Sequence, residues 1–394
     1  MREAKLLVKL MRYALQHEKK FQYDEKVDSK KLQELIRDQN LVSFVYPALV
    51  QLQEENLKTV AQHLEQEYNE ELHRVLVQQI EMESILDKLE NRGIDCLPLK
   101  GYFMKCYYSE STFRSMTDFD VLIKDFDEKK LQTLMENDGY EVEEQGDEHH
   151  DVYVKKPYMV VELHKNLSDE KVEREIPEID EWLENVWDRC ILMEGKQHTY
   201  VMTEEDFYLY HLIHLYKHIR HGGISIRPLV DICVFLEKAI ARLNWAYINQ
   251  VLADLKLSSF EMAMRFLSLK CFFEEEMLLN EDEEKLLMFF FENGMFGNSK
   301  STKTISVVTE GEKSYTKGKV YSFLRIVFQP ARVLKDKYPV LEKCPFLLPF
   351  IWLIRMFRVI FKERHKITLL QEATTKEEYE KMHEIFCIAG IVEK

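Results

Sequence analysis

Three carboxylates carry the chemistry that this sequence makes possible. In "RSMTDFDVLI", residues 114–123, Asp118 and Asp120 stand two apart in a run that reads as a buried strand. Residues two apart on a strand share a face, so both carboxylates project one way while Phe119, Val121 and Ile123 project the other. Like charges held this close repel, and desolvation raises the cost of each, so the pair calls for either full exposure or a cation. Alone, an Asp-x-Asp pair is common and reads as a solvated strand face. A third acid recurs in "MVVELHK", where Glu162 sits between Val161 and Leu163 and shares its face with Val160 and His164. If the two strands are neighbours, three acids converge, and with Mg²⁺ they form a site able to hold a triphosphate and activate a hydroxyl.

The elements that must position these acids follow from the texture of the chain. Residues 1 to about 70 have helical periodicity, and a helix over Glu70 to Asn91 closes at Arg92-Gly93, where glycine suits the left-handed cap position. Short β-type runs then occupy Ile94–Leu99, Phe119–Ile123, Gly139–Val142, Val152–Val154 and Tyr158–Leu163. Helices are expected over Gly101–Tyr108 and Asp127–Asp138. That order gives an α+β protein: a small mixed sheet covered by helices on one face. From Thr203 helical patterns return, "TEED" having the form of a capping box. Four regions are expected: 1–70 helical, 71–200 the sheet-bearing core, 201–291 helical and completing the site, and 292–394 basic, aromatic-rich and helical, with the last boundary at the turn-rich "ENGMFGNSKSTK".

The succession "LPLKGYFMKCYY", "FRSMTDFDVLI", "DGYEV" and "VVELHKNL" resembles the uncharacterised bacterial nucleotidyltransferase-like proteins, a branch of the polymerase-beta-type nucleotidyltransferase superfamily. "YHLIHLYKHIRHGGISIRPLVDI" and "ENGMFG" extend the likeness over most of the chain. The resemblance implies a magnesium-dependent transferase that moves a nucleoside monophosphate from an NTP, ATP among them, to a hydroxyl or phosphate acceptor, with Mn²⁺ able to substitute for Mg²⁺; the cysteine usage points to a cytoplasmic protein. In it Asp118 and Asp120 ligate one or two metals, and Glu162 is third ligand or base. Gly101 lets phosphates approach a helix N-terminus. Lys100-Gly101-Tyr102 stands where much of the superfamily has Gly-Ser or Gly-Gly, and Lys100 could supply charge to the phosphates. Arg114, with Ser115 beside it, could reach a phosphate oxygen or neutralise the acids. His164 reads as a substrate contact or a polar strand end. The alternative for the whole protein is a low-turnover nucleotide-sensing or partner-binding protein, regulatory or antitoxin-like, on the same fold.

His211, His214, His218 and His221 fall three, four and three apart, along one helix face. Zinc binding, a site-lining face and ordinary packing are the three readings, and no HExxH is present. Arg227 and Asp231, four apart, could pair with each other or touch substrate. Residues 322–366 hold ten Lys/Arg against three Asp/Glu, with Phe350, Trp352, Phe357 and Phe361 among them. A lid over an anionic substrate, peripheral contact with a membrane and a helix packed on an acidic core all fit that composition.

The bulk numbers bound the rest. The net charge of -15 argues against wholesale binding of nucleic-acid backbones. The partners expected are therefore a nucleotide triphosphate and an acceptor of undetermined class: small molecule, saccharide or protein. Seven cysteines without a CxxC pair read as reduced core thiols. The first twenty residues lack the apolar core and cleavage site of an export signal, and the arginines and prolines of the run Cys344–Phe361 make it a poor spanning helix.

Overall fold

The computed structural model describes residues 2–16, 21, 27–144, 150–167, 176–221, 224–274, 276–293, 304–305, 307–308, 314–329, 331–334, 337–361 and 375–392. They divide into two units, one of residues 1–215 and 225–291, the other of residues 216–224 and 292–394.

In the first unit, α1 (Arg2–Ala14), α2 (Ser29–Asp38) and α3 (Val42–Leu49) precede a 37-residue helix, α4 (Glu55–Asn91). The sequence pattern starts that helix at Glu70. It begins earlier because no Gly or Pro interrupts residues 55 to 70, so the expected boundary at residue 70 falls inside α4. Its apolar positions Met82, Ile85, Leu86 and Leu89 recur at helical spacing and are buried against the sheet. Gly93, at φ +67°, ends it: Gly93 N–H donates to Glu90 O and Ile94 N–H to Leu89 O, a Schellman closure that turns the chain directly into β1 (Cys96–Pro98).

A short helix, α5 (Lys100–Met104), leads on to β2 (Phe119–Ile123). Next, α6 (Glu128–Asn137) starts on Asp127, whose carboxylate accepts from the N–H groups of Lys129 and Lys130, and ends on Gly139 with the same Schellman pattern. Three strands follow: β3 (Glu141–Glu144), β4 (His150–Lys155) and β5 (Met159–His164). The sheet order is β1-β2-β5-β4-β3, with β2 and β5 parallel and the other neighbours antiparallel. This is the small mixed sheet that the alternation indicates. Phe119, Val121, Ile123, Val161 and Leu163 form a core with α4 and with Leu131, Leu134 and Met135 of α6. The helices therefore cover one face, and the odd-numbered apolar residues of β2 fix which face it is.

After α7 (Pro177–Glu184) and a two-stranded ribbon of β6 (Ile191–Leu192) and β7 (Tyr200–Val201), Glu90 ties the chain back to α4, accepting from Gln197 N–H, His198 N–H and the Thr199 hydroxyl. Helix α8 (Glu204–His221) starts with Asp206 N–H donating to Thr203 Oγ1. Only that half of the expected capping box forms as such. The Asp206 carboxylate instead accepts from Arg189 and Tyr247, at 2.9 and 2.6 Å. Helices α9 (Arg227–Ala239), α10 (Trp245–Asp254), α11 (Ser258–Phe272) and α12 (Glu281–Asn293) complete the fold. Buried Arg12 reaches across from α1 to Cys271 O and Glu274 O at the end of α11, satisfying carbonyls that the helix leaves open.

The second unit contains helices Tyr315–Val327, Leu348–Phe361 and Lys376–Ile388, the last opened by a complete capping box between Thr375 and Glu378. Of the turn-rich interruption expected between the units, residues 294–303 lie outside the described residues, as do most side chains of the basic run 322–366. Among the described residues none of the seven cysteines forms a disulfide, but Cys96, Cys233 and Cys271 alone are buried, and Cys106 is exposed. Among the described residues no helix is long and apolar enough to cross a membrane.

Candidate active site

The parallel pairing of β2 with β5 places Asp120 directly opposite Glu162. Register partners on adjacent strands share a face, so both carboxylates stand on the side away from α4 and α6. His164, one turn of the pleat further, comes back between them, its Nε2 3.0 Å from Asp120 Oδ1 and 3.5 Å from Glu162 Oε2. Ligand atoms of Asp120, Glu162 and His164 lie within 4.8 Å of one another, a spacing able to hold one ion. Asp118 stands just before β2, its carboxylate accepting from the Thr117 hydroxyl at 3.1 Å. The tightest grouping is thus Asp120, Glu162 and His164, with Asp118 beside it.

Burial works to raise Asp120, but the hydrogen bond with His164, helped by the charge of Lys100, holds its carboxyl well below the usual range. Asp118 moves the other way, raised by burial and by the charge of Asp120, which Lys100 only partly offsets. Burial works against the charged form of His164, yet its bonds to Asp120 and Glu162 push it up to about 9. The imidazolium neutralises part of the acid cluster at pH 7. Lys100, at the start of α5, contacts the ring of His214 from α8, so one residue of the histidine face meets the site through this lysine.

The remaining candidates belong to a second cluster. Arg114 donates to Asp231 at 2.9 Å, and Tyr108 donates to the same carboxylate at 2.7 Å. Arg227 does not pair with Asp231 four residues away. Its guanidinium donates to the carbonyls of Ser115, at 2.6 Å, and of Asn40. Asp231 is taken by Arg114 and Tyr108 and Arg227 by backbone carbonyls, so the four-residue spacing is spent on different partners. Arg114 also donates to Ser115 O, at 3.1 Å, so two arginines clamp the backbone that enters β2. Ser115 is buried, and its hydroxyl has no hydrogen-bond partner among the described residues. Gly101 is buried too, and a Cβ there would come 3.0 Å from Met116 Cε; its missing side chain lets Met116 pack on α5. His211 is buried, its Nε2 3.2 Å from Pro228 O, while His218 and His221 belong to the second unit.

The model of a family described as uncharacterised nucleotidyltransferase matches residues 25–272, more than half of the chain. The chain belongs to that family. No curated protein and no solved structure matches it. The matched span of this nucleotidyltransferase-family chain contains the whole sheet, both polar clusters and the helices α8 and α9 that bring His214 and Asp231 to them.

Sequence reasoning missed Tyr108, Asp231 as the partner of Arg114, and Lys105. Lys105 is buried, its Nζ has no hydrogen-bond partner among the described residues, and burial beside Arg114 and Arg227 pushes it down to about 8. The signal for Tyr108 was present in "MKCYY", where a polar-tipped aromatic ends a buried segment; nothing local pointed from Arg114 to Asp231.

Proposed function

We propose that the protein is a Mg²⁺-dependent nucleotidyltransferase that moves a nucleoside monophosphate from an NTP to a hydroxyl or phosphate acceptor and releases pyrophosphate. The observation that carries this reading is Asp120 opposite Glu162 on parallel strands, with Asp118 adjacent and hard oxygen donors in all three. Such donors suit Mg²⁺, which would supply positive charge for the triphosphate and for the departing pyrophosphate. Lys100 adds a fixed cation beside Asp118 and Asp120. Glu162 is the base in this reading: it takes the proton of the acceptor hydroxyl as that oxygen bonds to the α-phosphorus and the bond to the bridging oxygen breaks. His164, whose protonated form is favoured by its bonds to Asp120 and Glu162, keeps the two acids together in the absence of a divalent cation.

A second reading, a nucleotide sensor with little turnover, draws on the same His164, which already satisfies Asp120 and Glu162 within the protein. Calorimetry separates both from no function at this site. Mg²⁺-dependent NTP binding is expected in the wild type and lost in an Asp118→Ala, Asp120→Ala double variant. Binding that survives in the double variant overturns the proposal, and binding without NTP consumption selects the sensor.

A further inference from the structure

The acid cluster contains one group that neutralising charge alone does not explain. Along β5, Met159, Val161 and Leu163 are buried in the core, while Val160, Glu162 and His164 alternate with them on the outer face. Because β5 lies between β2 and β4, that face gathers Asp120 from one neighbour and His150 from the other. His150 is the register partner of His164, and the two rings stand 5.3 Å apart. His164 Nε2 lies 3.0 Å from Asp120 Oδ1 and 3.5 Å from Glu162 Oε2. Two ligand atoms each about 2.1 Å from one ion are about 3.0 Å apart at a right angle and about 3.4 Å apart at the tetrahedral angle. The imidazole thus stands from each carboxylate at the spacing of neighbouring ligands. The side chains of Asp120, His164 and Glu162 are 13%, 19% and 25% exposed, so an ion can reach them from solvent.

A cation whose only task is to hold two acids together is better served by Lys or Arg, which keep their charge, and Lys100 already supplies such a charge nearby. An imidazole differs. By giving its proton to solvent it exposes a nitrogen lone pair, and so changes from counter-charge to ligand without leaving its place. Carboxylate oxygens alone select hard ions such as Mg²⁺. A nitrogen in the set favours first-row transition ions, whose affinity for mixed nitrogen and oxygen donors rises from Mn²⁺ to Co²⁺. We infer that His164 is a ligand of the ion held by Asp120 and Glu162, and that this position takes Mn²⁺ or Co²⁺ in preference to Mg²⁺. The inference rests on the proposed reading of Asp120 and Glu162 as metal ligands, and it leaves the Mg²⁺ that accompanies the triphosphate to carboxylate oxygens.

The full chain without nucleotide, loaded with Mn²⁺ alone, tests it. Pulsed electron paramagnetic resonance should detect coupling of the Mn²⁺ to a nitrogen nucleus in the wild type and in His150→Gln, and lose it in His164→Gln. The coupling is read first in the wild type, so the test does not depend on a variant that folds. By calorimetry with each ion alone, His164→Gln should weaken Co²⁺ binding about tenfold or more while Mg²⁺ binding holds, because the variant removes a nitrogen that Mg²⁺ does not seek. An equal loss for both ions would make His164 a positioning residue and overturn the inference. Mn²⁺ ligated by oxygen alone, a nitrogen signal that only His150→Gln removes, or no binding of either ion by the wild type would overturn it as well. Nitrogen coupling without NTP consumption leaves this inference standing and removes the transferase reading; NTP consumption with an ion ligated by oxygen alone does the reverse.

Discussion

The segment 114–120 feeds two polar clusters that differ in how completely their charges are matched. At its start, Arg114 meets Asp231, which Tyr108 also serves, and Arg227 and Arg114 share the Ser115 carbonyl. The Asp231 side chain is wholly buried. At the other end, Asp118, Asp120 and Glu162 share one imidazolium and the nearby Lys100, and their side chains remain partly accessible. A buried ion pair with its charges matched can hold a backbone in place and has no net charge to offer a ligand. An acid cluster with too few cations stores a demand for one. The contrast separates the group that positions β2 from the group where the proposed chemistry would take place.

The largest expected effect follows from breaking that separation at the acid cluster, the site of the proposed reaction. Asp118→Ala should reduce NTP turnover to background while leaving the urea midpoint unchanged or slightly higher, since this carboxyl is raised by burial and by the charge of Asp120, and its loss relieves both. A fall in stability comparable to that of a core variant would show that Asp118 is structural. Asp231→Ala should do the reverse of this. Leaving Arg114 buried without its partner should cost about 3–5 kcal/mol by equilibrium unfolding, with Asp231→Asn less severe; a loss below about 1 kcal/mol would mean that the pair contributes no more than a surface contact.

A smaller effect concerns pH. Because His164 is raised to about 9, its contribution to stability is complete below the ordinary histidine value near 6.5 and is lost as pH rises through 9. Asp120, held low, contributes at pH values above its ordinary range and loses that contribution as pH falls through its folded value. An NMR titration should find the His164 ring protonated at pH 8, and Asp120→Asn should return it toward 6.5. Saturating Mg²⁺ should lower it as well, because the cation and the proton compete for the same carboxylates. The smallest effect belongs to Gly101→Ala. The new methyl must displace only the flexible end of Met116 while helix propensity improves, so a change within about 1 kcal/mol is expected; a larger loss would mean that the α5 backbone itself is pressed against Met116.

Much of the fold was legible because its signals are local. The alternation of Phe119, Val121 and Ile123 against Asp118 and Asp120 defined a strand and its two faces, and Gly93 and Gly139 stood where left-handed caps end helices. The start of α4 was not legible, since no breaker marks it, and the Asp206 carboxylate went to Arg189 and Tyr247 instead of back to the cap, which no local pattern announces. The four-residue spacing of Arg227 and Asp231 suggested a pair that packing gave to other partners.

By itself the sequence determined which residues could do chemistry, the faces they share, and the family likeness carried by Lys100-Gly101, Arg114, Asp118-x-Asp120 and Glu162. Periodicity and cap residues act within a few positions, so they can be read without coordinates. Tertiary structure alone decided that β5 returns past β3 and β4 to lie beside β2, bringing His164 to Asp120 across 44 residues, and that Arg114 finds Asp231 across 117. Those choices belong to packing between distant segments, where the partner of a charge is set by which helix and strand the core can accommodate.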